Sequence, residues 1–348
     1  AGPPPVRPMP SAGPAPRAVS DIPDMPVLFL ATKLHMPRAT TPVIERAHMR
    51  QRLRHGLEVP LTLVVAPAGF GKTTAMQDWL RGEHIRAAWV SLDAYDDEPA
   101  QFWSYLLTAL DRVWPGVSRE ALAMLRAPQV PSLLAIARTL LNAVAQRPDD
   151  LVLVLDDYHL LTSAAITASV AVLLDHSPER FHLYLLAREE PPLALARLRV
   201  RGWVNEIRAD HLRLRPDEVA SFVAEVFDVH LEAHEVLALA ECTDGWAAGV
   251  YLAGLSLRGH PDPARFIATF GGSHRHVLSY LGDEVLAAQP AEVRDFLLRT
   301  CVLERLCAPL CDAVTAQHES HLVLDHLIRN GLFPVSYTHL RAHETGRN

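Results

Sequence analysis

An α/β fold on a parallel sheet, with helices taking over in the second half, is what this sequence predicts, and three observations predict it. Short apolar runs recur with amphipathic stretches between them: Leu61–Val65, Ala87–Leu92, Leu151–Leu155, His182–Ala187 and a weaker one at Val204–Arg208. The first runs into a glycine-containing loop, Ala66–Thr74, that opens a helical pattern. The third ends in adjacent carboxylates, Asp156 and Asp157. Strands buried on both faces read as continuous apolar runs. Strands alternating with helices, here at 99–114, 132–146, 164–175 and 191–200, imply right-handed crossovers and a parallel sheet covered on both sides.

Composition sets the outer bounds. The 348 residues are 49% apolar and 21% charged, which excludes a disordered chain and leaves room for two or three domains. No stretch approaches the roughly 18 uninterrupted apolar residues of a membrane helix. The net charge is −7 and no Lys/Arg block stands out, so these residues do not supply the basic face that duplex DNA requires. Four cysteines without a secretory signal read as free thiols of a cytoplasmic protein. Cys301, Cys307 and Cys311 lack the paired short spacing of zinc ligands, and His274/His276 and His318/His321 read as surface pairs. No nucleophilic Ser or Cys with His and acid partners is visible.

The two ends are set apart. Residues 1–26 hold nine of the 27 prolines and almost no bulky apolar side chain, the composition of a disordered extension. After Phe333 the helical pattern breaks off. Back-translation of Val335–Thr345 is compatible, codon by codon, with the end of a transposon-based sequencing adapter. Residues 334–348 are therefore expected to be foreign, the natural sequence to continue past Phe333, and His339 and His343 not to be ligands.

The loop carries the sharpest chemistry. Strand, glycine loop, Lys-Thr, helix is the context of a phosphate-binding loop. Gly69 and Gly71 let the backbone curl around phosphate oxygens, with Phe70 between them and Thr74 after, and the positive end of the next helix favours the anion. Lys72 would reach the β- and γ-phosphates, and the Thr73 hydroxyl would hold Mg²⁺. The motif calls for Gly where Ala66 stands, so the backbone there must be less extreme. At the carboxyl edge of the sheet Asp156 would complete the Mg²⁺ shell, and Asp157 would orient or deprotonate an attacking water. Arg188, which follows the fourth strand, is open to two readings: a sensor of the γ-phosphate or a surface arginine.

With these residues placed, the sequence resembles the signal-transduction ATPases with numerous domains, and within them the large ATP-binding LuxR-type, MalT-like transcriptional regulators. The likeness runs from about Leu34 to Phe333. It rests on the loop Ala66–Thr74, Ser91-Leu-Asp93, Leu155-Asp-Asp-Tyr-His159, Leu186-Ala-Arg188, Leu198-Arg-Val-Arg201 and Gly245-Trp246. Further matches are Tyr280-Leu281, Asp283-Glu-Val285 and Asn330-Gly-Leu-Phe333. The resemblance implies ATP or ADP with Mg²⁺ as cofactors, slow hydrolysis if any, with Lys72 and Asp157 as its catalytic groups, and ATP-dependent self-association. It also implies an adenine-side element, here Ile44-Glu-Arg46-Ala-His-Met49 with Met for Leu, which adds Arg46 to the nucleotide contacts. The architecture implied is a P-loop α/β domain over 27–210, a helical domain over 211–272 and a winged-helix domain over 273–333. A helical-repeat sensor for an inducer and a DNA-binding helix-turn-helix would follow, outside this sequence.

From Pro216 helical periodicity dominates. Asp217 is expected to start a helix through Val219, Phe222, Val223 and Val226, and a second covers Leu231–Ala240. Gly245-Trp246 opens a small-residue apolar helix. Trp246 reads either as core packing or, by the resemblance, as part of a hinge that links nucleotide state to domain arrangement. Gly271-Gly272-Ser273 marks a break, and helices at 276–288, 291–300 and 320–330 suit a winged helix. The function implied is an ATP-dependent regulatory switch. The alternatives are a P-loop kinase or an AAA-type mechanical ATPase, the latter needing a trans-acting arginine for which Arg197, Arg199 and Arg201 qualify by position only.

Overall fold

A computed structural model of the chain describes residues 30–37, 44–270, 286, 289–303, 306–316 and 318–329. The proline-rich extension, the Gly271–Ser273 break, nearly all of the helix expected at 276–288, and residues 334–348 lie outside the described residues.

Five strands form one all-parallel sheet: β1 (Leu61–Val65), β2 (Ala87–Ser91), β3 (Leu151–Asp156), β4 (Phe181–Ala187) and β5 (Val204–Arg208), in the order β2-β3-β4-β1-β5. Leu61 stands level with Leu183 on one side and Val204 on the other, and Ala87 with Val152. β4 therefore separates the strand that feeds the glycine loop from the strand that ends in Asp156. Arg188, one residue past β4, emerges between the two.

Helices α1 (Ala47–Arg54), α2 (Lys72–Gly82), α3 (Pro99–Val113), α4 (Arg119–Leu125), α5 (Leu133–Ala145), α6 (Ala164–Asp175), α7 (Leu195–Val200) and α8 (Ala209–Leu212) accompany these strands. Alternate strand residues go to opposite faces. Leu61, Leu63, Leu153, Leu155, Leu183 and Leu185 join a core with Trp103, Leu106, Ile136, Leu140 and Val170 of α3, α5 and α6. Val64, Val154, Tyr184 and Leu186 face the other way, onto Met49 and Leu53 of α1 and Met76 and Trp79 of α2. α4 was not expected; at seven residues it is too short to display a period. α7 begins at Leu195 rather than 191, because a residue preceding proline, here Pro191 before Pro192, avoids helical backbone.

The second half is helical. α9 (Pro216–Phe227), α10 (Ala233–Thr243), α11 (Ala247–Leu257) and α12 (Pro263–Thr269) share a core of Val219, Val223, Leu239, Val250, Ala253 and Leu257, which Ile44 joins from far upstream. α9 starts at Pro216, one residue before the expected Asp217. Proline suits the first helical position, and Glu218 caps the end by accepting the Arg215 N–H at 2.9 Å. A smaller core, with Phe296, Cys311 and Leu327, is built by α13 (Ala291–Thr300), α14 (Ala308–Thr315) and α15 (Ser320–Arg329). Among the described residues no helix is long and apolar enough to cross a membrane.

Candidate nucleotide-binding site

The loop between β1 and α2 is shaped by two left-handed glycines, Gly69 at φ 76° and Gly71 at φ 79°, conformations that side chains with a Cβ disfavour. Gly71 caps α2, and its carbonyl accepts from Ala75 N at 2.8 Å. Ala66, where the motif calls for glycine, is not among the positive-φ residues, and its N–H continues the sheet ladder to Ala187 O at 3.3 Å. An alanine is unstrained there, so the departure from the motif leaves the loop intact. Lys72 is buried, and its Nζ donates to the carbonyls of Ala66 at 2.7 Å and Pro67 at 3.0 Å. Burial lowers its pKa to about 8; Asp157 and Asp156 oppose this and Arg188 adds to it.

Across the β4 gap, Thr73 Oγ1 donates to both carboxylate oxygens of Asp156, at 3.1 and 3.0 Å. Asp156 is only 3% exposed. Burial lifts its pKa to about 7, with Asp157 pushing the same way and Thr73 and Lys72 holding it down. A hydroxyl and a buried carboxylate in direct contact make an oxygen-only donor pair. Mg²⁺ takes few protein oxygens and completes its shell with phosphate and water, so these two residues fit it. Asp157 carries left-handed backbone (φ 58°) and leads into a short turn, Tyr158–Leu160, that brings the His159 ring back toward its carboxylate. Arg188 is half-buried and close enough to Lys72 and His159 to disfavour a proton on each.

Beside the loop lies a cavity of about 390 Å³. Gly69, Phe70, Gly71, Thr74, Ala75 and Asp78 form its loop-side wall. Ile44, Arg46 and Met49, the element assigned to the adenine, line it too. The opposite wall comes from the helical half: Leu214, Phe222, Ala247, Ala248 and Tyr251. These last residues, with Asp78, escaped the sequence reading. A largely apolar pocket against a phosphate loop suits a purine base, with aromatic side chains at hand for stacking. Arg46 differs from a simple ligand, since its guanidinium is already engaged. Nε donates to Glu218 Oε1 at 3.1 Å, and Nη2 donates to the carbonyls of Leu212 and Arg213 at 3.1 and 3.0 Å.

Two contacts tie the loop itself to the helical half. Trp246 Nε1 donates to Ala68 O at 3.0 Å, and the Ala248 N–H donates to Gly69 O at 2.9 Å. The start of α11 thus rests on the phosphate loop from 178 residues away. The three arginines that qualified by position as a trans-acting finger are turned to local partners. Arg197 pairs with Asp175, Arg199 with Glu206 and Glu190, and Arg201 lies over the Trp203 ring at 4.9 Å.

Comparison with known proteins agrees with this anatomy. The family described as MalT winged helix domain matches residues 282–344, a span that crosses the boundary drawn at 334. The HTH-type transcriptional regulator MalT of Serratia proteamaculans (strain 568) is 34% identical over 312 residues, 88% of this chain. The chain spans about a third of that relative's length, 34%. Among solved structures, a Walker-type ATPase of Pyrococcus abyssi aligns with TM-score 0.54 over 82% of this chain and 89% of its own, at 14% identity, a likeness of fold. A STAND protein with a tetratricopeptide repeat sensor from Pyrococcus horikoshii aligns over 85% of this chain and 40% of its own, with TM-score 0.46 and 14% identity. With its phosphate loop, its all-parallel sheet and this identity over 88% of its length, the chain is similar to the MalT regulators across most of its own sequence.

Proposed function

We propose that this chain is the nucleotide-reading part of a transcriptional regulator, a switch whose two states are set by Mg-ATP and ADP. The observation that carries the proposal is the pair of hydrogen bonds from Trp246 and Ala248 to the carbonyls of Ala68 and Gly69. A ligand whose phosphates reshape the loop must act on α11, and through it on the helical half. The cavity adds to this, because its two walls belong to the two halves. The base would lie between Ile44, Met49 and Tyr251, and the phosphates along Gly69 to Thr74. Mg²⁺, once bound, supplies charge neutralisation at the γ-phosphate. Thr73 and Asp156 hold it, Lys72 leaves the loop carbonyls for phosphate oxygens, and Arg188 senses the γ-phosphate. Asp157 orients the water of a slow hydrolysis that resets the switch. DNA contact, an inducer and ATP-dependent self-association belong to the whole regulator, in a cytoplasmic setting.

Moving a two-state population from 1:99 to 99:1 needs about 5.5 kcal/mol of differential binding. Contacts unique to the γ-phosphate are the source available here. Calorimetry with Mg-ATP and ADP on the wild type and Lys72→Ala, together with phosphate release, tests the proposal. Binding lost in Lys72→Ala and turnover below about one per minute support a switch. Turnover in the ordinary enzyme range of about 1–10³ s⁻¹ would make the chain a working ATPase or kinase instead.

A further inference from the structure

The cavity beside the phosphate loop has an acid in its wall, although its guest would be a polyanion. Asp78 lies on α2 one helical turn past Thr74, and residues four apart share a helix face. Among the described residues that line the cavity it is the one carboxylate, and its side chain is 13% exposed. Its charge is matched by Arg50 of α1, which does not line the cavity: Nε donates to Oδ2 and Nη2 to Oδ1, both at 2.8 Å. Nη1 of the same guanidinium donates to Glu45 at 2.7 Å. A Cβ on Gly82 would come within 2.9 Å of Arg50 Cζ, so the bare glycine leaves the guanidinium its seat. The two-pronged pairing fixes the plane of the carboxylate.

An ionised carboxylate only accepts, with about four lone-pair sites on its two oxygens. Arg50 takes one on each oxygen, which leaves acceptor capacity on both. A phosphate oxygen cannot use that capacity, being an anionic acceptor itself, so the matching ligand group must be a donor. Adenosine offers donors in two places, the exocyclic amine and the pair of ribose hydroxyls. Position separates them. On the placement proposed above, the phosphates run along Gly69 to Thr74 and the base lies between Ile44, Met49 and Tyr251. The ribose joins the two. One turn of α2 carries the next side chain on that face about 5–6 Å along, the span from an α-phosphate to the hydroxyl side of its ribose.

We propose that Asp78 reads the sugar: its carboxylate accepts hydrogen bonds from the 2′- and 3′-hydroxyls of the bound nucleotide and so selects ribonucleotides over deoxyribonucleotides. Arg50 touches no ligand and acts through Asp78 as a positioning residue. The inference rests on the nucleotide proposal above and adds to it the selectivity of one residue on this chain.

Calorimetric binding of Mg-ADP, Mg-2′-deoxy-ADP and Mg-3′-deoxy-ADP tests this with no turnover involved. The wild type should bind Mg-ADP about tenfold or more tighter than either deoxy form, because a hydrogen bond to a charged acceptor is lost. In Asp78→Ala the three affinities should come within about twofold of one another. Arg50→Met removes the ion pair and keeps the acceptor. All three affinities should then weaken together while the preference for ribose stays at about threefold or more. Melting temperatures check that each variant folds. Should Asp78→Ala fail to fold, Asp78→Asn keeps the size and one neutral acceptor, and its ribose preference should drop about threefold or more below that of the wild type. Equal affinity of the wild type for the three nucleotides, or a preference that survives intact in Asp78→Ala, would overturn the assignment while nucleotide binding stands. So would a preference for Mg-ADP over Mg-IDP that collapses in Asp78→Ala while the sugar preference holds, since the carboxylate would then meet the base amine. Failure of the wild type to bind Mg-ADP or Mg-ATP would remove the nucleotide proposal and this inference together.

Discussion

Asp156 and Lys72 sit in the same buried pocket with their pKa values moved toward each other, the acid up to about 7 and the base down to about 8. Burial is the largest cause in both, so each charged form is disfavoured until something compensates it. For folding, the sign follows from proton counts. The folded state holds the Asp156 proton between about pH 4 and 7 where the unfolded chain has released it, so this site's contribution to stability falls as pH rises through that window. A bound Mg²⁺ would favour the ionised carboxylate and a bound phosphate the ammonium, so together they reverse the balance. Mg-nucleotide binding should therefore release a proton from Asp156 below about pH 7 and take one up at Lys72 above about pH 8. Calorimetry in buffers of different ionisation enthalpy reads this directly. Asp156→Asn should abolish the acid-side release and leave the alkaline uptake in place. A proton balance identical in the two proteins from pH 6 to 9 would mean that Asp156 does not face the metal.

At the scale of elements, the junction between α10 and α11 is closed tightly onto the backbone before α9. Asp244 and Gly245 take left-handed backbone in succession, at φ 50° and 64°. A Cβ on Gly245 would lie 2.6 Å from Leu214 O and 3.1 Å from Leu214 N, and the Leu214 N–H donates to Gly245 O at 2.8 Å. Gly259 shares the positive φ, at 74°, yet a Cβ there would meet nothing within 4 Å among the described residues. Gly259→Ala should then cost only the backbone penalty of about 1–2 kcal/mol. Gly245→Ala should cost more, about 2–4 kcal/mol with the steric clash added. Chemical denaturation measures both, and equal losses would show that Leu214 moves aside freely. This junction illustrates what could be read in the sequence. The Gly-Trp pair was legible as a helix start, as the phosphate loop and the five strands were legible, because their signals are local: period, β-branching, glycine spacing. Its partners were not. Trp246 meets Ala68 and Arg46 meets Glu218 across 178 and 172 residues, and no local pattern encodes such pairings. The same holds for Phe222 and Tyr251 on the far wall of the cavity. α4 escaped for the opposite reason, being too short for its period to show.

For the whole molecule the question is how one ligand could set the arrangement of two halves. Arg46, beside the base cavity, is held by Glu218 of α9 and by the chain at Leu212 and Arg213. The loop carbonyls are held by Trp246 and Ala248 at the start of α11. On the nucleotide placement proposed above, one set of bonds meets the base side and the other the phosphate side, so base and γ-phosphate would address different joints. Only the second set would then have a means of telling ATP from ADP. A neutral hydrogen bond contributes about 0.5–1.5 kcal/mol, so the indole bond supplies a part of the roughly 5.5 kcal/mol that full switching requires. Trp246→Phe keeps most of the ring and loses only the donor. If the bond couples loop to helix, the ratio of Mg-ATP to ADP affinity should move toward unity by about 2- to 10-fold, with little change in melting temperature. If Trp246 only packs, both affinities should weaken together and the ratio hold. Measuring both nucleotides on one variant thus separates the two roles that the sequence left open for this residue. The ratio is the quantity to read, because packing defects move both affinities in one direction, whereas loss of coupling draws the two together.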